Sequence, residues 1–259
     1  MISASQLKKY RSLQQKKYRQ QYGQFLIEGF NLCEAALRSD FSVELLLINQ
    51  EAAEQFFPRL AVLAKKQVKV EFVPDQVIRA LSESVSSPGM IAVVKMPQRS
   101  LADLWNLQPH EILILDQIRD PGNLGTILRT AEWFGIQALI CSEACVDLFN
   151  SKVLRSSAGA YFQLPLVLAN QKLIEVLPEL LARDYNLLVA NPTASQSYFE
   201  MDFRRPFALI IGSERQGVSP GIYDFPLQEI CIPRRGRTDS LNVAVAAAIL
   251  LAAAVKPVA

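Results

Sequence analysis

Three separated segments in the back part of this 259-residue chain set polar side chains beside glycine or proline and then run into apolar stretches. They are Asp120–Gly135 (DPGNLGTILRTAEWFG), Leu209–Gly217 (LIIGSERQG) and Cys231–Leu251 (CIPRRGRTDSLNVAVAAAILL). Ligand sites built from loops at one edge of a sheet have this layout. The candidate groups are Asn123, Arg129, Glu214, Ser240 and Asn242. His110 is the only histidine and precedes an expected strand at the domain joint, which argues against a Ser-His-Asp or Cys-His relay and excludes a histidine metal cluster. Arginine, glutamate, serine and asparagine are suited to positioning a substrate and stabilising its charge, not to nucleophilic attack.

Each candidate also has a purely structural use. Asn123 can cap the helix that follows Pro121-Gly122, a role worth about 1 kcal/mol. Arg129 lies four residues after Gly125 and shares its helix face. A guanidinium early in a helix opposes the macrodipole, so it is better explained by an anion that it meets. Glu214 stands where the chain turns after Gly212 and can clamp Arg129 bidentately. Taken alone, that turn suits a solvated glutamate. Either Ser240 or Asn242 can cap the last helix. One cap suffices, so two polar residues flanking Leu241 imply a second task.

These residues need a scaffold. Near-continuous apolar strands are expected at 112–116, 138–141, 164–168, 187–190, 208–211 and 229–232, with helices at 124–134, 151–156, 172–183 and 242–255. That alternation describes an α/β domain with a parallel sheet covered on both faces. No GxGxxG follows its first strand and no GxxxxGK[ST] occurs, which disfavours an ordinary dinucleotide site. The front third alternates too. Helices are expected at 25–37, 55–65 and 76–81, and strands at 43–48, 68–73 and 89–95. Weak periodicity between Pro97 and Pro109 places the domain joint near residue 105, giving domains 1–105 and 106–259.

Composition is that of a globular protein, half hydrophobic and one fifth charged. The 13-residue run Val243–Val255 is too short to span a bilayer, and the basic start lacks an apolar signal core, so a cytoplasmic location is expected. A mitochondrial-type leader is the weaker alternative. Cys33, Cys141, Cys145 and Cys231 are scattered without a zinc spacing and suit buried thiols. Net charge is +2, but Lys8, Lys9, Arg11, Lys16, Lys17 and Arg19 all precede the first acid, Glu28. Such an arm suits a polyphosphate partner or a solvated helix face in equal measure.

The three segments resemble the motifs of the SpoU (TrmH-like) RNA methyltransferases of the SPOUT superfamily. The matching stretches are N-x-G-x-I-x-R (Asn123–Arg129), I-I-G-S-E-x-x-G (Ile210–Gly217) and I-P-x-x-G-x-x-x-S-L-N-V (Ile232–Val243). The front third is similar to the small α/β substrate-binding module, like ribosomal protein L-thirty-e, that often precedes this domain. FLIEGFNLCEAAL and LSESVSSPGMIAVV carry that likeness.

The resemblance implies a mostly parallel sheet with a C-terminal trefoil knot, S-adenosylmethionine held bent in the knot, a homodimer, and methyl transfer to a ribose 2′-oxygen without a metal. It places Asn123, Arg129, Glu214, Ser240 and Asn242 at active-site positions. Gly212, Ile232 and Leu241 fall on cofactor-contacting positions, with Ala190 and Asn191 assigned to the cofactor beside them. Arg155, in the stretch Arg155–Ala160, is expected to face RNA, as are Lys8, Lys9, Lys16, Lys17 and Arg19. Arg234 and Arg235 depart from the family's less basic loop. The appended front domain favours ribosomal over transfer RNA. The competing readings are a transfer-RNA enzyme, a base-nitrogen methyltransferase of the same superfamily, and a non-catalytic RNA-binding or assembly protein with this fold.

Overall fold

The structure, a computed structural model, describes residues 2–56, 68–84 and 86–255. It divides into two compact units. The first holds Met1–Gln98 together with Asp147–Gln163, and the second holds Arg99–Val146 and Leu164–Ala259.

The second unit is built on six parallel strands: β5 (Glu111–Leu115), β6 (Ala138–Ser142), β7 (Leu166–Gln171), β8 (Asn186–Ala190), β9 (Phe207–Ile211) and β10 (Gln228–Ile230). Their spatial order is β10-β8-β9-β5-β6-β7, with every pairing parallel. β5, β6 and β9 are buried at every residue, as their apolar sequences, polar only at Glu111 and Ser142, require of strands covered on both faces. Ile112, Ile114, Ile140, Leu168, Val189 and Ile210 form one core with Leu173, Val176 and Leu177 of the helix Leu173–Leu181. Helix Val243–Ala254 packs on helix Pro121–Trp133.

Between β9 and β5 the chain parts in opposite directions. From β5 it continues to β6 on one side, and from β9 it runs toward β10 on the other. Leu115 pairs with Ile211, so the loops leaving these two strands start side by side. Such a switch point is where open α/β sheets bind ligands.

The first unit carries a four-stranded sheet of β1 (Gln24–Glu28), β2 (Val43–Ile48), β3 (Lys69–Phe72) and β4 (Met90–Lys95), ordered β1-β4-β2-β3. β4 runs antiparallel to β1 and β2, and β2 parallel to β3. The expected helix over 25–37 is a strand and a helix instead. Phe25 and Ile27 alternate inward along β1, and Gly29 at φ 88° turns the chain into helix Phe30–Arg38. The helix expected at 55–65 lies largely outside the described residues. The basic start folds into helices Ala4–Ser12, closed by a Ser3/Gln6 capping box, and Lys16–Tyr22.

The first unit's continuous stretch ends at Gln98, and residue 105 lies inside helix Leu101–Leu107. A single joint also misses the excursion Asp147–Gln163, which joins the first unit. Phe149 packs at a tilt on Phe25 and Phe162 stacks parallel to it there, contacts between distant residues that local periodicity does not register. No described helix is long and apolar enough to cross a membrane.

Candidate active site

The three sequence segments meet at the carboxyl ends of β5 and β9. Asp120 caps helix Pro121–Trp133, accepting from the Asn123 N–H at 2.8 Å. Capping therefore belongs to Asp120, and the Asn123 side chain is left for other work. Its Nδ2 donates to Glu214 Oε1 at 3.2 Å, and its Oδ1 accepts from Asn242 Nδ2 at 2.9 Å. Asn242 Nδ2 also reaches Glu214 Oε1 at 3.0 Å.

Asn242 does two jobs at once. Its Oδ1 caps helix Val243–Ala254, accepting from the N–H groups of Ala244 at 3.0 Å and Val245 at 3.4 Å. The first helical N–H, on Val243, turns instead to Glu214 Oε1 at 2.9 Å. A carboxylate facing a helix N-terminus is electrostatically favoured. The Val243 contribution was missed in the sequence, although a free N–H just after an N-cap is a general signal for it.

Gly212 is required for a reason other than ligand approach. A Cβ there would lie 2.1 Å from the Gly217 carbonyl carbon, because the loop closes on itself through the Ser213–Gly217 bridge. Gly217, at φ 66°, makes that closure possible. Glu214 is thus held at the tip of a tight, fixed turn.

Beside this cluster opens a cavity of about 620 Å³, within the usual range for a small-molecule site. Ala190, Asn191, Gly212, Ile232, Leu241, Glu214 and Ser240 all line it. Its apolar wall includes Ile211, Ile230 and Leu250, and its mouth carries Arg215, Arg234 and Arg235. Leu241 is 44% exposed, an apolar side chain left for a ligand to cover. The Asn191 side chain is committed locally, accepting from Thr193 N and Oγ1 and donating to Glu229.

Three expectations need correction. Glu214 does not clamp Arg129. Its Oε1 holds two amides and a backbone N–H, while Arg129 lies six residues, roughly 9 Å of helix, beyond Asn123. Arg129 is exposed and makes no ion pair among the described residues. Arg19 is not an RNA-facing cation. It is 5% exposed, ion-paired with Asp147, and bonded to the carbonyls of Leu13 and Gln14 at 2.8 Å each. Arg155 is half-buried and paired with Glu28, so its charge is spent inside the first unit. Lys8, Lys16 and Lys17 are exposed, and Lys9 lies over the Tyr22 ring at 4.9 Å.

Among the cysteines, Cys33, Cys141 and Cys145 are buried. A hydrogen bond from Cys141, working against burial, lowers the Cys145 thiol to about 7. No group of potential metal ligands occurs among the described residues.

A doubly covered parallel sheet, with a loop-lined cavity and a carboxylate–amide cluster at its switch point, defines an α/β enzyme that positions its substrate with fixed polar groups. The family follows from the matches. Residues 110–252 match the SpoU rRNA methylase family, and residues 4–92 match an MRM3-like substrate binding domain. The chain belongs to the SpoU rRNA methylase family and is an RNA methyltransferase. It is 33% identical to the 23S rRNA (guanosine(2553)-2′-O)-methyltransferase RlmP of Bacillus subtilis, over 95% of this chain and 94% of that protein. The SpoU methyltransferase AviRb of Streptomyces viridochromogenes, solved in complex with AdoMet, superposes with a TM-score of 0.85 at 25% identity, covering 98% of this chain and 97% of that one. The AdoMet-bound rRNA methyltransferase of Sinorhizobium meliloti gives 0.83 at 27% identity, covering 98% and 96%.

Proposed function

We propose that this chain transfers a methyl group from S-adenosylmethionine to a ribose 2′-hydroxyl of ribosomal RNA. The observation that carries this reading is the Asn123–Glu214–Asn242 cluster, joined across 119 residues at the mouth of the cavity. A binding-only protein has no need to hold an exposed carboxylate with three donors.

The cavity suits the cofactor chemically. Ile211, Ile230, Ile232 and Leu241 offer an aliphatic bed for a flat heterocycle, and the carboxylate of Glu214 stands beside it, where a cation is favoured. Ala190, Asn191, Gly212, Ile232 and Leu241 are the residues that would hold it. When bound, S-adenosylmethionine supplies a methyl group on a cationic sulfonium, which needs no metal to leave.

The protein's own part is alignment and charge. Arg129 meets the 2′-hydroxyl and its neighbouring phosphate and stabilises the alkoxide that develops as the proton leaves to phosphate or water. A guanidinium with a pKa above about 12 is a poor general base, so its work is electrostatic. Asn123 and Asn242 keep Glu214 fixed, and Ser240, exposed at the rim, faces the substrate side. The chain acts as a homodimer, with the exposed Arg129 reaching RNA near the subunit interface and a trefoil knot at the C-terminal end of the sheet. It works in the cytoplasm. The 2′-hydroxyl requirement separates RNA from DNA.

The test is transfer of labelled methyl from S-adenosylmethionine to ribosomal RNA stripped of modifications. The expected product resists alkaline cleavage at the methylated nucleotide, as only ribose methylation allows. Label that alkali releases in ordinary mononucleotides contradicts the proposal.

A further inference from the structure

The loop between β8 and β9 displays two aromatic rings that the catalytic reading leaves unused. Phe199 is 76% exposed and lies on the ring of Tyr198 with centroids 4.1 Å apart and planes 29° apart. The rings are firmly mounted. Ser197 bridges to Cys231, the Tyr198 N–H donates to the Cys231 carbonyl at 3.0 Å, and the Cys231 N–H donates to the Gln196 carbonyl at 2.9 Å. The Phe199 N–H donates to Ser197 Oγ at 3.3 Å and the Glu200 N–H to the Ser197 carbonyl at 3.0 Å, closing a turn that presents the ring outward.

Position gives this pair its meaning. Cys231, which anchors the turn, directly precedes Ile232, a cavity-lining residue, and the exposed cations Arg234, Arg235 and Arg237 follow. Neither ring lines the cavity itself. An exposed phenyl face supported by a second ring would cost solubility for no structural gain, since most of it is left to water. Flat rings tied through Cys231 to a run of guanidinium groups match a nucleotide in both its parts, base to ring and phosphate to arginine.

We infer that Tyr198 and Phe199, with Arg234, Arg235 and Arg237, form a stacking subsite for an unpaired nucleotide flanking the one that is methylated. The inference rests on the proposed RNA methylation and adds where an adjoining base is held. Stacking on a ring tolerates any base, so this subsite selects unpaired RNA over duplex without selecting sequence. The arginines add phosphate attraction that falls with salt.

The test compares the full-length protein with Phe199→Ala, Phe199→Trp and Arg235→Gln. The probes are a fluorescein-labelled single-stranded RNA 15-mer of mixed sequence and a duplex of the same length. Phe199→Ala is expected to weaken single-strand binding about 10-fold while leaving duplex binding and the salt slope unchanged. Phe199→Trp should retain wild-type affinity. Arg235→Gln should reduce the salt slope by about 1. Ultraviolet cross-linking of the wild type should place the RNA adduct on the peptide holding Tyr198 and Phe199.

Single-strand affinity of Phe199→Ala within twofold of wild type overturns the inference, as does an equal loss on duplex. A change of oligomeric state in Phe199→Ala by light scattering also overturns it and assigns the rings to a contact between copies. Wild-type protein that methylates RNA while Phe199→Ala binds normally removes the subsite and leaves the methyltransferase reading standing. Wild-type protein that neither binds nor methylates RNA removes both.

Discussion

Glu28 and Glu214 each gather several donors, yet they sit in opposite electrostatic settings. Glu28, in the first unit, accepts from Ser84 at 2.7 Å, from Ser82 at 2.6 Å and from the Glu83 N–H at 3.2 Å, and pairs with Arg155. Burial pushes its carboxyl up, and the two serines and the guanidinium outweigh that and hold it below the ordinary value. Glu214 receives three donors as well, but all are neutral and the group is exposed. The cations divide the same way. Arg19 and Arg155 are matched by Asp147 and Glu28, whereas Arg129, Arg235 and Arg237 stand open among the described residues and Arg234 meets only the exposed Asp239, at 4.0 Å. A charge matched within its own unit braces the fold, and an exposed charge left unmatched is available to a substrate.

The sharpest way to break that contrast is at Arg129. Arg129→Ala should lower methyl transfer at least ~100-fold, the scale of losing one donor to a developing oxyanion. Thermal stability and S-adenosylmethionine binding by calorimetry should not change, because Arg129 is exposed and makes no ion pair among the described residues. Near-normal turnover would show that its openness is incidental.

The matched carboxylate should behave in the opposite way. Glu28→Ala leaves two hydroxyls, an N–H and a guanidinium without their acceptor. With Arg155 about one third exposed, the expected loss is discounted to about 2 kcal/mol of stability, read by urea unfolding. Turnover per folded molecule should be preserved. Since the folded-state pKa of Glu28 is depressed, its contribution is present above about pH 4 and is lost as pH falls through the folded value. The wild type should therefore weaken in acid, and Glu28→Ala should do so less steeply. Asp75, lowered to about 2 by Ser87 first and Arg79 next, leaves part of that acid slope in the variant.

A smaller effect is expected at the unmatched carboxylate. Glu214→Gln keeps an oxygen for the Val243 N–H and the two amides and removes only the charge. Methyl transfer should fall about 10-fold as the cluster loosens, and the melting temperature should drop by only a few degrees, since hydrogen bonds to a charged acceptor exceed neutral ones by roughly 1 kcal/mol. A fall in stability without a fall in rate would move Glu214 into the same class as Glu28.

The same distinction explains what could be read without coordinates. The strands of the second unit were legible because burial on both faces leaves β5, β6 and β9 without polar residues except Glu111 at the start of β5 and Ser142 at the end of β6. The polar cluster was legible as a set of residues, since Asn123, Glu214 and Asn242 each stand at a loop-to-element junction. Its wiring was not legible. Opposite formal charges suggested an Arg129–Glu214 pair, but helical rise carries the guanidinium past the carboxylate and two neutral amides take its place. Arg155 and Arg19 misled for a related reason. Sequence reveals a charge but not the distant acid that cancels it, and Asp147 lies 128 residues from Arg19. Tyr198 and Phe199 gave no sequence signal, because an exposed ring and a buried one are the same letters.

The smallest effect, and the one that separates the two kinds of cation most cleanly, is at the N-terminal helices. Removing residues 1–20 outright would be uninformative, because Leu13 is 1% exposed and Arg19 binds Asp147, so the cut would damage the first unit's core. Replacing Lys8, Lys16 and Lys17 together with glutamine keeps the helices, because glutamine forms helix about as well as lysine and all three side chains are exposed. If these charges neutralise phosphates, the logarithmic salt dependence of RNA affinity should flatten by up to about 3 × 0.7 for a single-stranded contact. Catalysis at saturating RNA should be unchanged. Arg19→Gln should do the reverse, lowering the melting temperature and leaving the salt slope alone. An unchanged slope in the triple variant would make those lysines a solvated helix face and assign the polyphosphate contact to the arginines at the cavity mouth.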